Sequence, residues 1–201
     1  MSPLRPRKRP TQLRAVETVA CILEAAAQIL EAQGRAGFNT NAVAERAGVS
    51  IGSLYQYFPG KEALLIALMQ REKARFADDA GTALQAPSGR EALEHLLAAA
   101  VRQQLERPEL ARLLDVEEER PDTRQALAGK SSFTALIQAI LTRPDLPRVP
   151  DLAAAADDVG HLIRALTDAA GHRGERGEAA AADLQQRLSR AVLGYLGLPR
   201  M

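Results

Sequence analysis

The sequence predicts an all-α protein: an N-terminal three-helix unit built around a helix-turn-helix, followed by a C-terminal helical domain. Three observations carry that expectation. Apolar residues make up 46% of the chain and aromatic residues only 3%, so the core must come from Leu, Ala, Ile and Val, which favours closely packed helices over sheets. Runs such as AAAQIL and DLAAAADD point the same way. The segment NTNAVAERAGVSIGSLYQYFPGK, residues 39–61, spells two short helices around a glycine turn with a third helix start directly behind them.

Taken in order, residues 1–13 form a flexible basic arm in which Arg5, Arg7, Lys8 and Arg9 precede any acid. Such an arm can track phosphates or enter a minor groove, and it can equally be a solvated tail. Residues 14–34 place Val16, Val19, Ile22, Leu23, Ala26, Ile29 and Leu30 at amphipathic-helix spacing, with Gly34 as the stop. Cys21 falls outside that stripe and is expected to be small, partly buried and chemically idle.

Asn39 or Thr40 caps the first motif helix, and Val43, Ala44 and Ala47 give it a small apolar inner face. Gly48 ends it, Ser50 caps the second helix, and Leu54 and Phe58 point inward. That leaves Ile51, Gly52, Ser53, Tyr55, Gln56 and Tyr57 on the sides and outer face. Pro59-Gly60 then opens a helix expected from Lys61 to Leu84, with Leu64, Leu65, Leu68, Met69 and Phe76 inward and a length of about 36 Å.

After the break at Ala86-Pro87-Ser88-Gly89, punctuation by proline and glycine divides the remainder into helices at about 89–106, 108–119, 122–142, 151–171 and 178–197. The last two are rich in alanine and glycine, which permits close helix approach.

A chain of 201 residues can bury a substantial core. A lone cysteine excludes internal disulfides, and the basic start with no apolar stretch behind it reads as a cytoplasmic protein without a leader. Net charge is +1, but residues 1–75 hold 11 Lys and Arg against 6 Asp and Glu, so the motif sits in the basic part. No phosphate-cradling glycine loop, G-x-S-x-G, H-E-x-x-H or cysteine pair is present, so neither an enzyme nor a cofactor is expected.

The stretch AERAGVSIGSLYQYFPGKEALL, with the preceding helix AVETVACILEAAAQILEAQG, resembles the DNA-binding segment of the TetR family of bacterial transcriptional regulators. The resemblance runs from about Arg14 to Phe76. It implies a helix-turn-helix DNA-binding domain over 14–76, with the motif at 39–58, and a regulatory and dimerisation domain over 77–201. It also implies a homodimer held through the last two helices, residues 151–197, on a palindromic operator.

Thr40 and Asn41 offer a hydroxyl and an amide beside free backbone N–H groups, a suitable phosphate contact. The resemblance places Ser50, Ile51, Gly52 and Ser53 in the major groove, Tyr55 and Tyr57 on the backbone, and Lys61 on a phosphate. One departure matters. Ile51 and Gly52 cannot make the bidentate bonds of a strong direct reader, so Asn41 and Gln56 are the amides left for base edges, while Ile51 can pack on a thymine methyl.

The resemblance further implies a repressor that a small molecule releases from DNA. Leu97, Leu113, Phe133 and Ile137, with His161 and Arg164 as polar contacts, are candidates to line the ligand site. Asp157 and His161, four apart, are more simply an exposed helix pair than half a metal site, so no metal is expected. The alternative is a helical protein-interaction module whose basic half binds acidic protein surfaces.

Overall fold

A computed structural model describes residues 13–127 and 132–199. Among them are ten α-helices and one 3-10 turn, with no strand: α1 Leu13–Gly37, α2 Thr40–Arg46, α3 Ile51–Tyr57, α4 Lys61–Gly81, η1 Thr82–Gln85, α5 Gly89–Leu105, α6 Pro108–Glu118, α7 Pro121–Leu127, α8 Ser132–Leu141, α9 Leu152–His172 and α10 Gly177–Tyr195. The all-α expectation holds. The basic arm lies outside the described residues.

The chain forms two compact units. One runs to Lys73 and also takes in the residues from Leu113 through α7; the other comprises Ala74–Arg112 and α8 to α10. Helices α4 and α6 therefore each contribute to both units.

In the first unit α1 buries Ile22, Leu23, Ala26, Ile29 and Leu30, the expected stripe, while Val16 near its start is exposed. Helical geometry breaks at Gly34, whose φ of 61° lies in the left-handed region that glycine alone enters without a Cβ penalty. Cys21 is exposed, which corrects the expectation of partial burial: outside the apolar stripe, it faces water.

Phe38, Leu54 and Phe58 are almost fully buried and form the inner core of the motif. Each such side chain contributes about 1.5–3 kcal/mol. Ala63 to Met69 are buried without interruption, so α4 is enclosed on all sides over two turns.

α4 is shorter than expected. It ends at Gly81 and passes into the 3-10 turn before Leu84, so its 21 residues span about 32 Å. The single helix expected over 122–142 is likewise described as two, α7 and α8, which belong to different units. α1 runs on past its kink at Gly34 to Gly37, three residues beyond the expected stop, and the remaining boundaries fall within two residues of the expected ones.

The second unit packs α5, α8, α9 and α10 around Leu93, Leu96, Leu97, Ile137, Ile140, Val159, Ile163, Leu184, Leu188 and Val192. Alanines such as Ala99, Ala100, Ala155 and Ala156 fill the spaces between helices. Phe76 and Phe133 form a tilted ring pair with centroids 5.1 Å apart, a preferred aromatic geometry. No helix among the described residues is long and apolar enough to cross a membrane.

Candidate nucleic-acid interface

The turn between α2 and α3 is written into the backbone of residues 44–50. Gly48 takes φ 67°; its N–H donates to the Glu45 carbonyl at 3.1 Å, and the Val49 N–H donates to the Ala44 carbonyl at 3.0 Å. This is the paired closure of a Schellman turn, which satisfies the last carbonyls of α2. Asn39 caps α2 by accepting from the Ala42 N–H at 2.9 Å, and Ser50 caps α3 by accepting from the Ser53 N–H at 3.0 Å. Of the two caps open from sequence, Asn39 is the one used.

With Leu54 and Phe58 directed inward, α3 exposes Ile51, Gly52, Tyr55 and Gln56, and leaves Ser53 and Tyr57 partly accessible. The Tyr57 ring rests tilted against Phe58 at 6.5 Å. Thr40 Oγ1 and Tyr55 Oη lie 3.2 Å apart and share a hydrogen bond, so two residues expected at phosphates are joined across α2 and α3. Asn41 is exposed beside them.

Ser50 Oγ and Ser53 Oγ are 2.8 Å apart. One hydroxyl donates to the other, and the Ser50 oxygen also accepts the capping N–H of Ser53. Beside them this face presents the apolar Ile51, the bare backbone of Gly52 and the amides of Gln56 and Asn41.

Lys61 is partly buried at the start of α4. Its ammonium donates to the Arg35 carbonyl at 3.2 Å and stands 6.0 Å from the Phe38 ring centre. An ammonium has three protons, so two remain for an anion.

Arg35 itself was not singled out by the sequence. Directly after the Gly34 break, its Nη2 donates to both Glu62 oxygens at 2.7 and 2.8 Å, and its Nε pairs with Glu117 Oε1 at 3.0 Å. Glu117 is 5% exposed. A single guanidinium therefore ties the entry of the motif to the starts of α4 and to the end of α6. Nearby, Arg46 Nε donates to Gln28 Oε1 at 2.7 Å and holds α2 to α1.

The residues expected to meet a ligand are dispersed. Leu97 and Ile137 are fully buried and Phe133 partly so, all in the second unit, whereas Leu113 lies in the first. His161 is exposed with Nδ1 at 2.7 Å from the Asp157 carbonyl, and Arg164 is also exposed. Neither sits among the buried apolar side chains. No cluster of three metal-ligating side chains exists among the described residues.

On α9 and α10 the small residues Ala154, Ala165, Ala182 and Gly194 are exposed. Tyr195 Oη donates to Asp158 Oδ2 at 2.6 Å across the two helices. That bond, which only the neutral phenol can make, raises the Tyr195 pKa, with smaller contributions from desolvation and the Asp158 charge. Gly160 faces α8: a Cβ there would stand 3.6 Å from Ile137 Cδ1.

The sequence profile of the bacterial regulatory proteins of the tetR family matches residues 22–68. The chain is 40% identical over 75 residues to the HTH-type transcriptional repressor KstR of Rhodococcus jostii (strain RHA1), covering 37% of this chain and 34% of that protein. It thus spans about a third of the length of this curated relative.

Two solved structures extend the likeness beyond that segment. A TetR-family transcriptional regulator from Streptomyces coelicolor shares 27% identity over 89% of this chain and 99% of its own, with a TM-score of 0.62. The transcriptional regulator FadR from Bacillus subtilis, solved in complex with stearoyl-CoA, shares 19% identity and the fold, with a TM-score of 0.75 over 87% of this chain and 98% of its own. The capped helix-turn-helix and the profile that it matches make residues 22–68 similar to the DNA-binding segment of the tetR-family bacterial regulatory proteins, and both units share their fold with solved tetR-family regulators.

Proposed function

We propose that the protein is a ligand-responsive repressor that binds a palindromic operator as a homodimer and releases it when a small molecule occupies its C-terminal unit. The observation that carries this reading is the exposed face of α3, presented by two capped helices at a closed glycine turn. Thr40, Asn41, Tyr55, Tyr57 and Lys61 are assigned to the phosphate backbone, and Ser50, Ile51, Gly52, Ser53 and Gln56 to the major groove. With the two serines bonded to each other, Ile51 against a thymine methyl and Gln56 on a base edge supply the direct readout, and DNA shape supplies the rest.

The copies pair through residues 151–197, where exposed alanines and glycine allow close approach of two helix pairs. Two-fold symmetry then sets two reading heads about one helical turn apart. The effector is an apolar or amphipathic organic molecule held within the second unit; the stearoyl-CoA bound by the FadR neighbour, with its long acyl chain, supports that class. The protein acts in the cytoplasm, by binding and not by catalysis.

The test uses duplexes selected from genomic fragments by the protein itself. Selective, salt-dependent binding of the selected duplex over a scrambled one is expected. Equal affinity for both would refute the reading and favour an interaction module. Effector action is tested reciprocally, by ligand affinity with and without operator, which must differ by the same factor as operator affinity with and without ligand.

A further inference from the structure

Among the described residues of the second unit only two polar side chains are buried, Gln104 on α5 and Thr167 on α9, at 4% and 8% exposure. Thr167 is accounted for. Its hydroxyl proton is engaged by the carbonyls of Ile163 and Arg164 at 3.1 and 2.9 Å, the usual back-bonding of a threonine inside a helix.

Gln104 is not accounted for. Its Nε2 is shielded from solvent and has no hydrogen-bond partner, and a buried donor left without an acceptor destabilises a fold. Gly171 makes the placement possible: a Cβ there would fall 2.5 Å from Nε2. The fold thus gives up a side chain on α9 to admit an amide whose N–H groups meet no protein acceptor.

The surroundings define what can satisfy it. One turn back on α5, Ala100 and Val101 are buried, as is Ala170 next to Gly171 on α9. A trapped water would need two to four polar partners, and Thr167, one turn before Gly171 on α9, is the other buried polar side chain among the described residues of this unit. A carboxylate would enter without a buried cation to offset its desolvation, since no Lys, Arg or His is buried among the described residues. What fits is a neutral acceptor on an apolar body.

We propose that Gln104 is the polar anchor of a ligand site inside the second unit, and that the site takes an uncharged, largely apolar molecule by a carbonyl oxygen such as that of a ketone, ester or thioester. The proposal rests on reading this unit as the effector domain and names the chemistry of that effector. Binding is coupled to packing at Gly171, because the amide moves only where α9 leaves it room.

The experiment uses the full-length protein without DNA and three probes of one length: 2-octanone, octane and octanoate, each displacing a fluorescent naphthalene dye. The wild type is expected to bind the ketone about 5–10-fold more tightly than the alkane, the worth of one hydrogen bond, and to reject the carboxylate. Gln104→Leu should bring ketone and alkane within twofold, and the unliganded variant should melt about 2–4 °C higher because the orphan donor is gone. Gln104→Met, another shape-preserving apolar change, should behave alike.

A wild type that binds no probe, or binds octane as well as 2-octanone, overturns the proposal, as does a leucine variant that keeps the ketone preference. Both variants melting lower than wild type would also overturn it, because the amide would then already be satisfied, by water. A ketone that binds through Gln104 without lowering operator affinity supports this site and refutes the regulatory reading instead.

Discussion

The guanidinium of Arg35 gives a graded stability prediction, because its two carboxylate partners differ sharply in burial. Its side chain is 25% exposed, that of Glu117 7% and that of Glu62 51%. Removing one member of a buried pair costs about 3–5 kcal/mol, since the survivor is left as an uncompensated charge; an exposed pair contributes about 0–1 kcal/mol. Arg35→Ala leaves the Glu117 carboxylate facing Arg120 Nη1 at 3.7 Å, on a side chain itself 56% exposed. The expected loss is about 3 kcal/mol. Glu117→Ala leaves Arg35 paired to both Glu62 oxygens, so about 2 kcal/mol is expected, and Glu62→Ala should cost no more than about 1 kcal/mol. Urea unfolding at fixed protein concentration measures the three, with the slope checked for constancy. For a chain of this size 3 kcal/mol corresponds to about 6–12 °C in melting temperature. If Glu62→Ala costs as much as Arg35→Ala, the exposed contact holds the cluster and the placement of Glu117 is wrong.

Gly48→Ala is expected to lose about 1–2 kcal/mol, the penalty for a side chain in the left-handed region, and the surviving folded protein should keep wild-type operator affinity because no atom lies within 4 Å of the added Cβ; a loss of affinity beyond the folded fraction, read by fluorescence anisotropy, would contradict this. Lys61→Ala should weaken all duplexes about equally and lower the salt slope by about one unit, whereas Ile51→Ala and Gln56→Ala should change the preferred sequence; a Lys61 variant with an unchanged slope would remove it from the phosphate contacts. Light scattering at micromolar concentration should give twice the 21.6 kDa chain mass. A single-chain mass would refute pairing through α9 and α10.

What the sequence disclosed and what it concealed divide along one physical line. Caps, stops and stripes are local, so Asn39, Gly34, Gly48, Ser50, Leu54 and Phe58 could each be read from neighbours within a turn or two. Residues brought together from distant parts of the chain could not: nothing near Arg35 points to Glu117, and the run DVEEER at 115–120 looks like an evenly solvated face. Gln104 is hidden the same way in VRQQLE. Yet both positions carry a trace in helical phase. Glu117 follows Leu110 by seven residues and Leu114 by three, and Gln104 follows Leu97 by seven and Ala100 by four, all of them buried. A polar residue standing where the apolar stripe demands an apolar one costs stability unless something pairs with it. For Glu117 the partner is Arg35, within the same unit. For Gln104 Nε2 no partner exists among the described protein atoms, and that difference separates a structural tie from the polar anchor proposed above.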